Sequence, residues 1–156
     1  MNELVLVTDN EDYRIYKTKD GYKKEMKYKS FSSFKPEEMT KEKKVELFKV
    51  FNSDDFEKVI ELKNSIGKDI LVKNIIFKPY ESFNETTGEN ETGVTSVICD
   101  DNDYYVTSSK TVYYNLINMI KAFGVPNENQ NNIVVTVKGT KQTRGIQISL
   151  ELKEVK

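Results

Sequence analysis

The sequence predicts a mainly β chain with one or two helices, its core folded as a small antiparallel structure. Three observations carry this. Residues 93–124 read as two short strands around an acidic turn, followed by one amphipathic helix. A long run rich in branched residues at 68–80 and two alternating strands over 132–155 flank that unit. The length of 156 residues suits one domain with a real core and is short for two.

Residues 3–7 and 13–17 suit strands, and Asp20-Gly21 suits a hairpin turn before the lysine-rich stretch 22–29. Such strands carry little apolar surface on either face. Residues 1–40 are therefore expected to form an extension, partly ordered or docked on a partner through Phe31, Phe34 and Pro36. A peripheral hairpin of the same domain fits this stretch equally well. The compact domain is expected over 41–156. Within it, 45–52 alternates as a strand, with Val45, Leu47, Lys49 and Phe51 on one side. Ser53 then opens a helix over 53–64, where Asp54 and Asp55 face the positive end of the helix dipole. Residues 68–80 make a long strand stopped by Pro79, and 81–92 a polar loop with nothing to bury.

Val94, Ser96 and Ile98 alternate with Thr95, Val97 and Cys99, the period expected where one sheet face is buried. Asp100–Asp103 turns the chain and Tyr104–Thr107 returns it. Ser108 or Ser109 can cap a helix whose apolar stripe is Leu116, Ile117, Met119, Ile120 and Phe123. Gly124 and Pro126 end that helix. Two strands, 132–139 and 145–155, follow as a hairpin with Ile146, Ile148, Leu150 and Leu152 inward. Five principal strands with a helix between the third and fourth is the layout of a Greek-key barrel of the OB-fold type. A βαβ arrangement fails, because only two helices interrupt many strands and the last pair is antiparallel.

Composition narrows the function. Basic and acidic residues nearly cancel, 24 against 25, but they are unevenly spread. From Arg14 to Lys44 there are eleven cations and five acids; from Glu81 to Asp103 there are seven acids and no base. Such a molecule can show a basic face to a polyanion at a modest total charge. Histidine is absent, which removes the usual neutral-pH general base and the commonest metal ligand. Cys99 is the single cysteine and reads as a small buried hydrophobe. No signal-peptide layout and no bilayer-length apolar run are present, so a cytoplasmic protein is expected. The Asn-Glu-Thr triplets at 84–86 and 90–92 match glycosylation sequons and are given no weight without such a signal. No phosphate-cradling glycine loop, metal-ligand spacing or nucleophile–base pair occurs, so no catalysis, cofactor or small-molecule substrate is expected. Asp100, Asp101 and Asp103 could hold magnesium, but a tight turn accounts for them better.

What remains is an interleaving of rings and cations. Single-stranded nucleic acid requires that pair, since bases stack on aromatic faces while cations follow the phosphates. The candidates are Phe51, Phe77, Tyr80 and Tyr105 for stacking, and Lys49, Lys110, Lys138, Lys141 and Arg144 for phosphates. Which face of each strand meets solvent is left open by the alternation. The segment 138–145 carries three cations, two threonines, a glutamine and two glycines without an acid, where OB-folds commonly contact oligonucleotides.

Phe51-Asn52, Tyr105 to Ser109-Lys110, Phe123-Gly124 and the Lys/Thr-rich hairpin 138–152 recur in the same order in a known family. Over about residues 30–154 the chain resembles the single-stranded DNA-binding proteins of phages and mobile plasmids of Gram-positive bacteria. The resemblance implies an OB-fold that coats single-stranded DNA in replication or transfer, without catalysis. Two departures stand out: Ser96 replaces an arginine frequent in the family's hairpin strand, and the acidic tail by which cellular single-strand binders recruit partners is missing. The N-terminal extension, with its lysines, is a candidate for homo-oligomer formation along a strand. An adaptor or inhibitor module of a mobile element, binding protein instead of DNA, is the alternative that the acidic 81–103 segment suggests.

Overall fold

The computed structural model describes residues 5–52, 57–126, 132–143 and 145–156, and the side chains of all of these except Glu89 and Asn90. In chain order the elements are β1 (Val5–Asp9), β2 (Tyr13–Thr18), β3 (Gly21–Met26), β4 (Phe31–Ser32), α1 (Lys41–Asn52), β5 (Val59–Glu61), β6 (Asp69–Val72), β7 (Asn74–Asn84), β8 (Glu89–Cys99), β9 (Tyr104–Thr107), α2 (Lys110–Phe123), β10 (Ile133–Gln142) and β11 (Gly145–Val155). The chain is mainly β with two helices, as its alternation predicts. Three sheets form, in the orders β1-β2-β3, β11-β10-β6 and β4-β7-β8-β9-β5.

β6 and β7 are two halves of one extended run that changes sheet at Lys73. Its first half pairs with β10 and its second with β8, both antiparallel. Among the described residues the expected barrel closure is not one of the strand pairings. β5 lies parallel along β9 through Val59–Tyr104, Ile60–Tyr105 and Glu61–Val106, and β11 pairs with β10 alone. The edge of β9 that a closing strand needs is therefore already taken.

Two apolar clusters lie on opposite faces of the five-stranded sheet. Ile75, Phe77, Val94, Ile98 and Tyr105 pack with Val112, Leu116 and Met119 of α2 and with Ile133, Val135 and Val137 of β10. Ile76, Val97, Cys99 and Tyr104 pack on Leu47 and Val50 of α1. β8 is thus buried on both faces, not on the single face its alternation suggests. Its polar exception, Ser96, is wholly buried. A side chain at that position does not reach solvent in this protein.

Four local expectations are corrected. Residues 45–52 are helical: Thr40 receives the Lys43 amide at 3.2 Å, and Leu47 and Val50, three apart, face the sheet. The alternation of Val45, Leu47, Lys49 and Phe51 was compatible with a strand, but Lys and Glu favour helix and nothing offers 45–52 a ladder. The expected helix over 53–64 falls partly outside the described residues; where it is described, it is β5 and a 3-10 turn over Leu62–Ser65. β7 runs past Pro79 to Asn84, and the supposed loop 81–92 is a hairpin with β8. Beyond Phe77, β7 has a strand partner on one side only, where a proline is tolerated. On β11, Ile148 is buried, whereas Ile146 and Leu152 are 63% and 48% exposed, because the ends of this hairpin overhang the core.

Other expectations hold. The acidic turn is an Asx turn: Asp100 Oδ1 receives the Asn102 and Asp103 amides at 2.8 and 2.7 Å. Ser109 caps α2 by accepting from the Val112 amide at 3.2 Å, and Gly124 (φ 89°) ends it. Cys99 is buried, and burial pushes its thiol far above the ordinary value. The polar stretch 127–131 lies outside the described residues.

Residues 5–40 carry β1–β3 and β4. Phe31 and Ser32 pair with Phe77 and Ile76, and Ser33 Oγ accepts from the Ile75 amide at 2.8 Å. Thr92 Oγ1 donates to the Met26 carbonyl at 2.9 Å, tying β3 to β8. On the other face, Glu46 joins α1 to β9. It accepts from the Tyr104 hydroxyl at 2.8 Å and pairs with Lys58 at 3.2 Å and Lys43 at 3.4 Å. Burial raises the Glu46 carboxyl, but the Tyr104 hydroxyl, Lys58 and Lys43 together outweigh it and hold it below its ordinary value. A depressed folded-state pKa gives stability that is present above the unfolded value and lost as pH falls through the folded one. Thermal unfolding should accordingly show a melting temperature that drops as pH is taken below about 4.5, with Glu46→Gln flattening that dependence.

Candidate nucleic-acid interface

One set of exposed rings and cations lies where the N-terminal sheet meets β7, β8 and α2. Tyr80 on β7 lies opposite Gly93 on β8. A Cβ at Gly93 would sit 2.4 Å from Tyr80 Cζ, so the missing side chain is what lets this ring lie across the ladder. Tyr80 remains 40% exposed. Behind it stands a chain of edge-to-face rings. Tyr28 meets Tyr113 at 5.3 Å, Tyr113 meets Phe77 at 4.8 Å, and Tyr114 meets Tyr113 at 5.2 Å. Such contacts hold rings in fixed orientation and favour an edge over a stacked sandwich. The Tyr28 hydroxyl is buried; burial, and then the nearby Tyr114, Tyr113 and Tyr80 hydroxyls, raise its pKa.

Tyr28 and Tyr80 border a cleft of about 460 Å³ whose walls also include Arg14, Lys27, Lys29 and Gly93, with Glu11, Glu25 and Glu81 among them. A second hollow of about 290 Å³, with Lys23, Lys24 and Lys110, shares Glu25, Met26 and Thr92 with the first. Together they make one groove. Lys110 opens α2, so its ammonium stands at the positive end of the helix dipole. The cations are not uncompensated: Arg14 pairs with Asp9 at 3.5 Å and Glu25 at 3.8 Å, and Lys29 with Glu11 at 3.8 Å. Lys24 lies 4.4 Å from the Tyr13 ring centroid. These exposed pairs are weak and exchangeable, so a phosphate can replace a carboxylate at little cost.

A second basic surface is the end of the β10–β11 hairpin. Lys141, Gly139, Ile146 and Ile66 line a shallow hollow of about 590 Å³. A Cβ at Gly139 would fall 2.8 Å from Ile66 Cδ1, so glycine sets the approach of these two segments. Lys138 is half exposed and pairs with Glu151 at 3.8 Å.

The residues picked out by sequence thus divide. Tyr80 and Lys110 border the groove; Lys138 and Lys141 lie on the hairpin; Lys49 is exposed on α1, away from both sets. Phe77 and Tyr105 are core residues, 2% and 0% exposed, and present no ring face to a ligand. Their positions face α2 across the sheet, and burying a ring there removes far more apolar area than any base contact could. Phe51 is half-buried against the α1 cluster. Arg144 lies outside the described residues. Sequence reasoning missed Tyr28, Tyr114, Lys23 and Lys24. The density of Tyr and Lys at 22–29 was a signal for three of them, but that stretch reads as too polar to pack on a domain.

Among the described residues, no group of three His, Cys, Asp or Glu side chains is placed to hold a metal, and no helix is long and apolar enough to cross a membrane. What the groove can do is hold a chain of alternating flat and anionic groups. Gly93→Ala should displace the Tyr80 ring and lower affinity for such a ligand to the level of Tyr80→Ala, with little change in melting temperature; oligonucleotide titration of both variants checks this.

No family model matches the chain, and no solved structure does. A curated relative does: the "Single-stranded DNA-binding protein" of Bacillus phage GA-1, 28% identical over 153 residues, spanning 96% of this chain and 89% of the relative. The alignment covers the N-terminal sheet as well as the later strands, further than the motifs at 51–152 reach. The resemblance drawn from those motifs is borne out, and this chain is, along nearly its whole length, a relative of a phage single-stranded DNA-binding protein.

Proposed function

We propose that this protein binds single-stranded DNA, coating strands left unpaired during replication or transfer of a phage or plasmid genome with little regard to sequence. The observation that carries the reading is the similarity to the phage protein over 96% of the chain. The groove supports it: Tyr80 and Tyr28 for stacking and Lys23, Lys24 and Lys110 for phosphates, with Lys138 and Lys141 as a second cationic set on the β10–β11 hairpin. Stacking contributes about 1–3 kcal/mol per base and tolerates any base, which suits a coat. The role is non-catalytic and belongs in the cytoplasm, where such intermediates occur.

In this reading the later part of the chain is an OB-type module. The order of bent strand β6–β7, hairpin β7–β8–β9, helix α2 and terminal hairpin β10–β11 supports that assignment. Self-association through the N-terminal sheet belongs to the same proposal. β1 is an edge strand whose Val5, Leu6 and Val7 are all more than half exposed, and such an edge pairs readily with another chain.

The test is a titration of labelled oligo(dT) and of a matched duplex at two salt concentrations. Clear preference for the single strand is expected, with affinity falling as salt rises. Equal affinity for both forms, or indifference to salt, would overturn the reading.

A further inference from the structure

Helix α2 stands between the groove and the β10–β11 hairpin, and its surface runs from one to the other. At about 100° per residue, the order round the helix is Tyr113, Lys110, Tyr114, Asn118, Thr111 and Asn115. Tyr113 is half-buried at one margin, against Tyr28 and Phe77. Thr111 and Asn115 are half-buried at the other, against β11. There Gln147 Nε2 donates to Thr111 Oγ1 at 2.7 Å, and the Leu150 amide to Asn115 Oδ1 at 3.0 Å. Between the margins Lys110, Tyr114 and Asn118 are exposed, Tyr114 by 42%.

The hairpin takes up the line where the helix leaves it. Gln142 Nε2 donates to Gln147 Oε1, Gln147 stands opposite Thr140, and Lys138 opposite Ser149. Residues opposed across a strand pair, or two apart along a strand, share a face. Gln147, Gln142, Thr140 and Lys138 therefore line one side of the hairpin, all of them exposed, while Lys141 and Ile146 lie on the other. Neither α2, β10 nor residues 145–150 contain an acid. Acids stand at the two ends of this band: Glu25 and Glu91 in the hollow with Lys110, and Glu151 on Lys138 at 3.8 Å. A polyanion leaving the groove, whose cations are interspersed with carboxylates, thus meets little repulsion along this band.

We infer that a single strand held in the groove continues across α2, stacking a base on Tyr114, and passes Thr111, Gln147 and Gln142 to reach Lys138. The inference rests on the DNA reading and adds that the two cationic sets serve one ligand molecule. Hydroxyls and side-chain amides donate to phosphate and base edge alike, which suits a path that tolerates any sequence. Their bonds to one another lie at the surface, where exchange for bonds to a ligand costs little net free energy. With both sets on one molecule the second contact is intramolecular, so affinity rises with strand length until Lys138 is reached.

The experiment titrates the full chain with oligo(dT) of increasing length, up to the longest that binds one protomer, at several salt concentrations. Lys138→Glu should lose little affinity for the shortest oligonucleotides and about tenfold for the longest, with the salt slope there flatter by about 0.7. Tyr114→Ala should lose about tenfold on oligonucleotides long enough to cross α2, whereas Tyr114→Phe keeps the ring and the affinity. Position 114 is exposed and alanine suits a helix, so both variants should melt as the unchanged chain does. A Lys138→Glu loss that is equal at every length, or absent at every length, overturns the path, and so does full affinity in Tyr114→Ala. Those results leave the groove and the DNA reading standing. If the unchanged chain binds no oligo(dT) of any length, the DNA reading itself falls, and the path falls with it.

Discussion

Tyr105→Ala is expected to destabilise the protein by about 3–5 kcal/mol, the usual result of emptying a buried aromatic site. Tyr105 is wholly buried, in the middle of the cluster that joins the sheet to α2 and β10. It pairs with Ile98 across β8 and with Ile60 across β5, so the cavity would open under three strands at once. Domains of this size are stable by about 5–15 kcal/mol, and a loss of that order takes much of the margin. Tyr105→Phe separates the ring from its hydroxyl. The hydroxyl receives Lys68 Nζ at 2.5 Å, and losing that bond should cost only about 1–2 kcal/mol. Thermal melts and oligonucleotide titrations of both variants decide the matter. The phenylalanine variant should bind single strands as the unchanged chain does. A stable Tyr105→Ala protein that had lost DNA binding would mean the ring is a stacking platform after all.

Reversing Lys23, Lys24 and Lys110 to glutamate should cause the largest loss of DNA affinity that any three surface substitutions produce. All three line the narrow end of the groove, and Lys110 adds its charge to the positive end of α2. For single strands each phosphate contact contributes about 0.7 to the slope of log affinity against log salt, so removing three should flatten it by about two. The side chains are at the surface, so the melting temperature should hardly move. The same reversal at Lys138 and Lys141 measures the share of the β10–β11 hairpin. An unchanged slope in the first variant with a flattened one in the second would move the DNA track to the hairpin.

Much of the fold was legible because some local signals are self-sufficient. The Asp100–Asp103 turn, the Ser109 cap and the Gly124 stop depend on neighbours in sequence, and each stands where the pattern predicts. Residues 45–52 show the opposite case. A run with apolar residues at 45, 47, 48, 50 and 51 fits both periods, and its state was decided by whether a strand edge or a sheet face was available to it. The hairpin 81–92 failed in the same way: a polar sequence reads as loop, but β7 and β8 extend each other's ladder without needing a buried face.

Composition and local pattern, by themselves, determined a mainly β chain without histidine chemistry, with rings and lysines interleaved and with an order of motifs like that of phage single-strand binders. Only the tertiary structure decided which rings are available. Phe77 and Tyr105 stand on strands just as Tyr80 does, and alternation cannot tell them apart, because β7 is covered on both faces at its start and exposed from Pro79 on, while β9 is covered throughout. Burial depends on what packs above a strand, and here that is set by α1, α2 and the N-terminal sheet, elements outside the strand whose residues alternation describes.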